Sequence, residues 1–91
     1  MQEYREQLQK LWGDSAEKVL NAIDNTTITP MSGKEFLSHC TTCGGNWVGM
    51  LLTGIQELYP TVWDAIPDDM GINAWGAICT VCTLLQIKFE E

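Results

Sequence analysis

The stretch Ser38–Tyr59, SHCTTCGGNWVGMLLTGIQELY, organises the rest of the chain. It opens with a Cys-x-x-Cys pair, Cys40 and Cys43, which is followed by two glycines and an asparagine. The most apolar long helix pattern in the sequence comes next, Trp47 to Tyr59, with only a narrow polar side. The paired glycines suit the left-handed end of a preceding helix, and Asn46 suits the N-cap of the following one. The stretch therefore predicts a central helix that is buried around most of its circumference.

Two amphipathic helix patterns precede this stretch. Their apolar positions recur at helical spacing, which predicts one buried stripe on each helix: Tyr4, Leu8, Leu11 and Trp12, then Ala16, Val19, Leu20 and Ile23. Gly13 separates the two stripes, and Asp14 with Glu17 makes a variant capping box at the start of the second. One helix with a kink at Gly13 is the alternative, because a single glycine does not prove a break.

A connector lies between these helices and the central stretch. Its threonines and Pro30 oppose helix formation. A short strand also fits the connector, although the sequence shows no evident strand to pair with it. Ser32 and Glu35 then form a capping box of the Ser-x-x-Glu type, which predicts a short helix carrying Phe36 and Leu37.

The sequence after the central stretch predicts two further helices. Pro60 suits the first turn of a short helix over residues 61–66, and residues 67–71 form a turn bounded by proline and glycine. Asn73 is placed to cap the last helix, which runs from Ala74 to about Lys88 and is also apolar on most sides.

These patterns predict an all-α fold, a compact bundle of about five helices with two of them largely buried. We expect a single helical domain over residues 1–91, with N-terminal amphipathic helices in 1–25, a connector in 26–31 and a helical core in 32–91. The tail from Phe89 onward is expected to fray. One small bundle has little surface with which to cover two nearly all-apolar helices. Either the N-terminal amphipathic helices cover them or a second copy of the chain does, in a homodimer.

The charge of the chain is strongly acidic, with a formal net charge of −7 and a pI near 4.4. Direct binding to nucleic acid is not expected, because it requires clustered Lys and Arg to neutralise phosphates. The imbalance is greatest in residues 52–91, where Lys88 is the only base and the acids are Glu57, Asp64, Asp68, Asp69, Glu90 and Glu91. An acidic surface can attract a basic protein, because opposite charges steer association, and it can also serve only to keep a small protein in solution. The partner that we expect is a basic protein.

The N-terminal segment Met1–Lys10 is charged and has no apolar core of the kind that a signal peptide requires. No apolar run reaches the length of about 18 residues that a membrane span needs. We therefore expect a cytoplasmic protein that does not enter a membrane. In that compartment cysteines are usually reduced or metal-bound rather than disulfide-bonded.

The four cysteines form two Cys-x-x-Cys pairs, Cys40 with Cys43 and Cys79 with Cys82. Together they could supply the four thiolates of a tetrahedral zinc site. The run Cys40-Thr-Thr-Cys43-Gly-Gly resembles the knuckle of zinc-ribbon and treble-clef domains, and this resemblance covers six residues. The pairs are farther apart than is common for zinc sites, and the second lies in an apolar helix, where cysteine also serves as a small core residue. A thiol redox protein is a further alternative, although no strand pattern precedes Cys40 as in thioredoxin-like motifs.

Catalytic chemistry is not expected. His39 is the only histidine and lies beside Cys40, but neighbours on a helix point in different directions and no third group to orient the imidazole is evident. His39 is also an alternative metal ligand, with three of the cysteines. Asp64, Asp68 and Asp69 surround a turn, where carboxylates usually face solvent rather than a catalytic cleft.

The best candidate for function is a binding surface around Trp63, because an aromatic side chain among acidic residues suits a basic partner. Its predicted members are Trp63, Asp64, Asp68 and Asp69, and Trp12 and Trp47 are further candidates for surface contacts. We therefore expect a small acidic module that acts through protein–protein contact. Its size and acidity suit proteins of phages and mobile elements that inhibit nucleic-acid-handling enzymes of the host. A zinc-stabilised module and a thiol redox protein are the alternatives.

Overall fold

The computed structural model describes residues 2–40, 47–69 and 71–89. It is mostly helical, with 72% of residues in helices, which confirms the coarse prediction of a helical fold. The elements in chain order are α1 (Gln2–Trp12), α2 (Asp14–Asp24), β1 (Met31–Ser32), α3 (Gly33–Leu37), α4 (Trp47–Leu58), α5 (Pro60–Ala65), a 3₁₀ turn (Gly71–Asn73), α6 (Ala74–Leu84) and β2 (Ile87–Lys88). The predicted Asn46 cap, the paired glycines, Cys43 and the last two residues of the tail lie outside the described residues.

The break between α1 and α2 is a real helix end. Gly13 has a φ of 59°, a left-handed conformation that glycine adopts without steric cost. The alternative of one kinked helix is therefore wrong. The predicted cap is also wrong, because Asp14 is the first residue of α2 and the N-cap position belongs to Gly13, which makes no side-chain capping bond.

A bidentate ion pair fastens the far ends of α1 and α2. The Arg5 guanidinium donates two hydrogen bonds to the Asp24 carboxylate, from Nη1 to Oδ1 at 2.9 Å and from Nη2 to Oδ2 at 3.0 Å. These bonds lower the pKa of Asp24 below its usual range. Both side chains are substantially exposed, so the pair orients the two helices more than it stabilises the fold.

The core lies between α1, α2, α4, α5 and α6. α1 packs against α6, α2 packs against α5, and α5 packs against α4. The predicted stripes are buried at Leu8 on α1 and at Ala16, Val19, Leu20 and Ile23 on α2. On α6 the buried residues are Ala77, Ile78, Thr80, Val81, Cys82 and Leu84.

The connector supplies a strand, and its partner comes from the end of the chain. Met31 and Ser32 pair in parallel with Ile87 and Lys88, and the Met31 N–H donates to the Gln86 carbonyl at 3.2 Å. The predicted extension of the last helix to Lys88 is therefore wrong. Gln86 has a φ of 61°, so it cannot continue a right-handed helix, and the residue that follows, Ile87, is buried.

Phe89 is held in place and does not fray. Its ring meets the buried ring of Phe36 edge to face, with centroids 6.1 Å apart and an interplanar angle of 88°. Gly33 makes this possible, because a Cβ at that position would lie 2.9 Å from the Phe89 Cα and would also overlap the Phe89 ring. The predicted fraying is thus wrong for this residue.

Of the predicted caps at Ser32 and Asn73, the first is confirmed and the second is not. The Ser32 hydroxyl accepts a hydrogen bond from the Glu35 N–H at 3.1 Å, as the capping box requires. Asn73 stands at the N-cap of α6 but makes no capping bond there. Its side chain donates instead to the Leu11 carbonyl at 3.2 Å, so it ties the end of α1 to the start of α6.

Tyr59 holds the connector against the end of α4. Its ring is buried, and its hydroxyl donates to the Thr29 carbonyl at 3.4 Å while accepting from the Thr29 N–H at 3.3 Å. A buried aromatic hydroxyl usually has such a partner. By contrast, the indole N–H of Trp12 is buried with no hydrogen-bond partner among the described residues. An unpaired buried donor of this kind costs about 1–3 kcal/mol.

None of the helices in the described part of the chain is both long enough and apolar enough to cross a membrane.

Candidate functional site

A surface groove of about 380 Å³ lies beside α5 and the turn that follows it. Its shape depends on Pro67, because the residue before a proline avoids the helical conformation. Ile66 accordingly has extended backbone angles, φ −68° and ψ 131°, and the helix ends at Ala65. The chain then turns so that Asp68 joins Trp63 and Asp64 around one groove. Its lining residues are Leu52, Trp63, Asp64, Ile66, Pro67 and Asp68.

The groove combines an aromatic side chain, an apolar floor and negative charge. Trp63 is 37% exposed, while Leu52 and Ile66 are half-buried. Asp64 and Asp68 are exposed, and neither forms an ion pair within the described residues. Such a surface can bind a ligand that carries both an apolar part and a positive charge.

A second, smaller depression adjoins the groove on the side of α2. It has a volume of about 240 Å³ and shares Asp64 and Asp68 with the groove, while Ser15 and Lys18 line its other side. Lys18 is the one basic residue that lines either depression in the described part of the chain. Two carboxylates therefore line the groove, and one basic residue lines the depression beside it.

Three of the four residues predicted for the binding surface come together in the groove: Trp63, Asp64 and Asp68. Asp69 is exposed but lines neither depression. The contribution of Leu52 from α4 to the lining of the groove is not predicted by the sequence. The Ile66–Pro67 pair was a usable signal for the turn, whereas nothing local in the sequence marks Leu52 as a neighbour of Trp63.

The other tryptophans differ in their surroundings. Trp12 is half-buried and packs against the core. The side chain of Trp47 lies outside the described residues, so its predicted surface role is untested. Trp75 is 48% exposed and, with Phe89, lines a mostly apolar groove of about 280 Å³ that also includes Leu51, Cys79 and Thr83.

The three described cysteines differ in how far they are buried. Cys82 is 1% exposed, and Cys79 is half-buried in the wall of the apolar groove. Cys40 packs against Gly54 of α4, and its thiol donates to the Phe36 carbonyl at 3.5 Å. The position of Cys82 agrees with the interpretation of the second pair as core residues, which the sequence left open, whereas Cys79 lines a surface groove.

Burial makes the second pair poor nucleophiles. It raises the pKa of the Cys79 thiol, and it raises the pKa of Cys82 to about 12, with smaller contributions from Cys79 and Cys40. A thiol, unlike a thiolate, is a weak nucleophile and must lose its proton to bind metal. Cys40 is close enough to Cys82 to contribute to this shift of its pKa.

The zinc hypothesis remains a prediction. Within residues 2–40, 47–69 and 71–89, no three His, Cys, Asp or Glu side chains are arranged to hold a metal ion. The predicted set consists of Cys40, Cys43, Cys79 and Cys82, and Cys43 lies outside these ranges.

The raised pKa of Cys82 predicts a loss of stability at alkaline pH. In the unfolded chain this thiol ionises near its ordinary value of 9.0, whereas in the folded chain it stays protonated to about 12. Between these two values the folded state binds more protons, so the free energy of unfolding falls as the pH rises, by up to about 1.4 kcal/mol per pH unit for this group. Urea unfolding at pH 8, 9 and 10 under reducing conditions measures this slope.

The control for this measurement is Cys82→Ala, which removes the titrating group and leaves Cys79 in place. We expect a shallower slope between pH 9 and 10 in the variant than in the wild type. Equal slopes in the two proteins would contradict the assignment of the effect to Cys82. The comparison uses slopes because the substitution also lowers the stability at every pH.

His39 has the orienting partner that was not evident in the sequence. Its Nδ1 lies 2.6 Å from Oε2 of Glu57, near the end of α4. A carboxylate only accepts hydrogen bonds, so Nδ1 carries the proton. The pair links the segment that follows α3 to α4. Both side chains are partly exposed.

Comparison of the chain with protein-family models, with curated proteins and with solved structures finds no match.

Proposed function

We propose that the chain is a small acidic module that acts by binding a basic protein through the groove of Trp63, Asp64 and Asp68. The observation that carries the proposal is the exposed Trp63 indole beside two carboxylates that have no ion-pair partner within the described residues. Exposed aromatic side chains anchor protein interfaces, and unpaired charges select and orient the partner.

The charge distribution supports a basic partner in particular. Residues 52–91 contribute six acids and one base, and the groove lies within this part of the chain except for its Lys18 edge. An enzyme that handles nucleic acid presents a basic surface to the phosphate backbone, so it is a partner of the required chemistry. We therefore propose regulation or inhibition of such an enzyme, as phage and mobile-element proteins exercise on their hosts. In this proposal the chain acts in the cytoplasm, without catalysis and without direct contact to nucleic acid.

The proposal also includes the finer form of the fold, a bundle of about five helices in which α4 and α6 are the two largely buried ones. α5, which carries Trp63 and Asp64, packs against α4 and α2, and we propose that these two helices form a rigid base for the groove. A groove on a rigid base loses little conformational entropy when it binds. Self-association is an alternative that would use a different surface, the apolar groove lined by Trp75 and Phe89.

A comparison of partner capture by three forms of the chain tests the proposal. The wild type, Trp63→Ala and Trp75→Ala are immobilised and exposed to a cell lysate, and the bound proteins are quantified by mass spectrometry at low and at high salt. Trp75→Ala is the matched control, because it removes another exposed tryptophan that lies outside the groove. We expect a basic protein on the wild type and on Trp75→Ala, with at least a tenfold loss on Trp63→Ala and at high salt.

Equal recovery of the bound proteins by the wild type and by Trp63→Ala would contradict the proposal. Loss of the bound protein on Trp75→Ala alone would also contradict the proposal and would assign the interface to the apolar groove that Trp75 lines. Far-UV circular dichroism of each variant establishes that the loss reflects the groove and not unfolding.

A zinc-stabilised module is the second candidate and rests on the two Cys-x-x-Cys pairs of the sequence, because the described cysteines, Cys40, Cys79 and Cys82, are not arranged around a metal position. Elemental analysis of the purified protein tests it. One zinc ion per chain, with thiols that react only after chelation, would support this candidate. Metal-free protein whose thiols react only on unfolding would assign the cysteines to the core.

A further inference from the structure

The groove has three chemically distinct parts that one ligand side chain could contact together. The indole of Trp63 offers a flat π surface, and Leu52 with Ile66 forms an apolar floor. Asp64 and Asp68 place two carboxylates on the same groove, one at the end of α5 and one in the turn after it. A matching side chain therefore needs a positive head group and an apolar stem.

Arginine and lysine both have such a stem, but their head groups differ. The guanidinium is planar and delocalised, so it stacks on an indole and pairs with carboxylates through two parallel hydrogen bonds. The lysine ammonium is a compact, strongly hydrated charge that does neither as well. The flat indole next to exposed carboxylates favours the planar cation.

Lys18 restricts the direction from which such a ligand can enter the groove. It lines the depression on the α2 side and shares the neighbourhood of Asp64 and Asp68. A second positive charge on that side of the ligand would be repelled. The remaining approach is from the side of α4, where Leu52 is in position to contact the stem of the side chain.

We infer that the groove takes an arginine side chain of the basic partner, with its guanidinium on Trp63 and between the carboxylates of Asp64 and Asp68. This inference rests on the proposed function and names the feature of the partner that the groove recognises. It makes Trp63 the residue that discriminates between arginine and lysine, while the two aspartates select positive charge.

Two capped peptides of equal length and charge test the inference, hexa-arginine and hexa-lysine. Each is titrated into uniformly ¹⁵N-labelled protein at low salt, and the indole N–H signal of Trp63 is followed by NMR. The signal is assigned by its absence from Trp63→Phe, which keeps an aromatic ring at an exposed position and so preserves the fold. We expect the Trp63 signal to shift and hexa-arginine to bind at least fivefold more tightly than hexa-lysine.

Two variants test whether the peptides bind at the groove. Asp64→Asn combined with Asp68→Asn is expected to weaken the binding of both peptides at least fivefold. Lys18→Gln is expected to strengthen both about twofold, because it removes the repulsion at the α2 edge.

The contradicting outcomes separate the inference from the proposed function. Equal affinities for the two peptides, with the Trp63 signal shifted, would overturn the arginine preference and leave the basic-partner proposal standing. An unchanged Trp63 signal with both peptides would overturn the inference. It would also contradict the proposed function, which requires that a basic ligand binds at Trp63.

Discussion

Replacing Phe36 with alanine is expected to lower the free energy of unfolding by about 3–5 kcal/mol. The Phe36 ring is fully buried, packs over Gly54 of α4 and meets the ring of Phe89. Its loss removes the transfer free energy of a large apolar side chain and leaves a cavity between α3, α4 and the end of the chain. A domain of this size has a total stability of roughly 5–10 kcal/mol, so much of it would be lost.

Urea unfolding followed by circular dichroism measures this effect, with Phe89→Ala as the control. Phe89 belongs to the same ring pair but is 42% exposed, so its truncation is expected to cost only about 1 kcal/mol. A cost below about 1 kcal/mol for Phe36→Ala would contradict the placement of α3 against α4.

Replacing Gly54 with alanine is expected to destabilise the protein by about 2 kcal/mol, although alanine is the better helix former. A Cβ at this position would lie 2.6 Å from Cys40 Sγ and 2.6 Å from Cζ of the Phe36 ring. Neither neighbour can move freely, because Phe36 is fully buried and the Cys40 thiol is hydrogen-bonded to the Phe36 carbonyl. The added methyl group must therefore displace α3 from α4.

Gly76→Ala is the matched control for this prediction, since Gly76 also lies within a helix. A Cβ there would meet only Leu11 Cδ1 at 3.7 Å, an ordinary van der Waals contact. We expect this variant to gain about 0.5–1 kcal/mol from the higher helix propensity of alanine. Effects of the same sign in the two variants, measured by urea unfolding, would contradict the close packing at Gly54.

The helix starts were predictable where their signals are local. Ser32 and Glu35 form a capping box within four residues, and Pro60 opens α5 because its fixed φ suits the first helical turn. The break at Gly13 was also visible, since glycine reaches a positive φ at little cost. Each signal acts on the residues beside it, so the sequence alone identifies it.

The pairing of β1 with β2 was not predictable in the same way. Met31 and Ile87 are far apart in the chain, and each strand has only two residues, too few for a period-two pattern. The end of α6 was missed because no glycine or proline marks it. Gln86 takes the left-handed conformation instead, where tertiary packing places Ile87 in the core.

The candidate site was predictable only in part. Trp63 and Asp64 are neighbours in the sequence, so their grouping followed directly, and Asp68 joined them because Pro67 turns the chain back. Leu52 of α4 lines the same groove as Trp63, and Glu57 of α4 pairs with His39. Both arrangements depend on how α4 packs. Side-chain partners on different helices are set by tertiary structure, which local patterns do not encode.

The most direct test of the groove as the interface is an affinity measurement with charge-matched variants. The basic protein captured by the wild type is titrated by calorimetry against the double variant Asp64→Asn with Asp68→Asn. The control is Glu3→Gln with Glu17→Gln, which changes the net charge equally at exposed positions outside the groove. A loss of at least tenfold for the groove variant, with less than twofold for the control, is the predicted result. Equal losses for the two variants would show that net charge alone drives binding and would contradict the assignment of the interface to the groove.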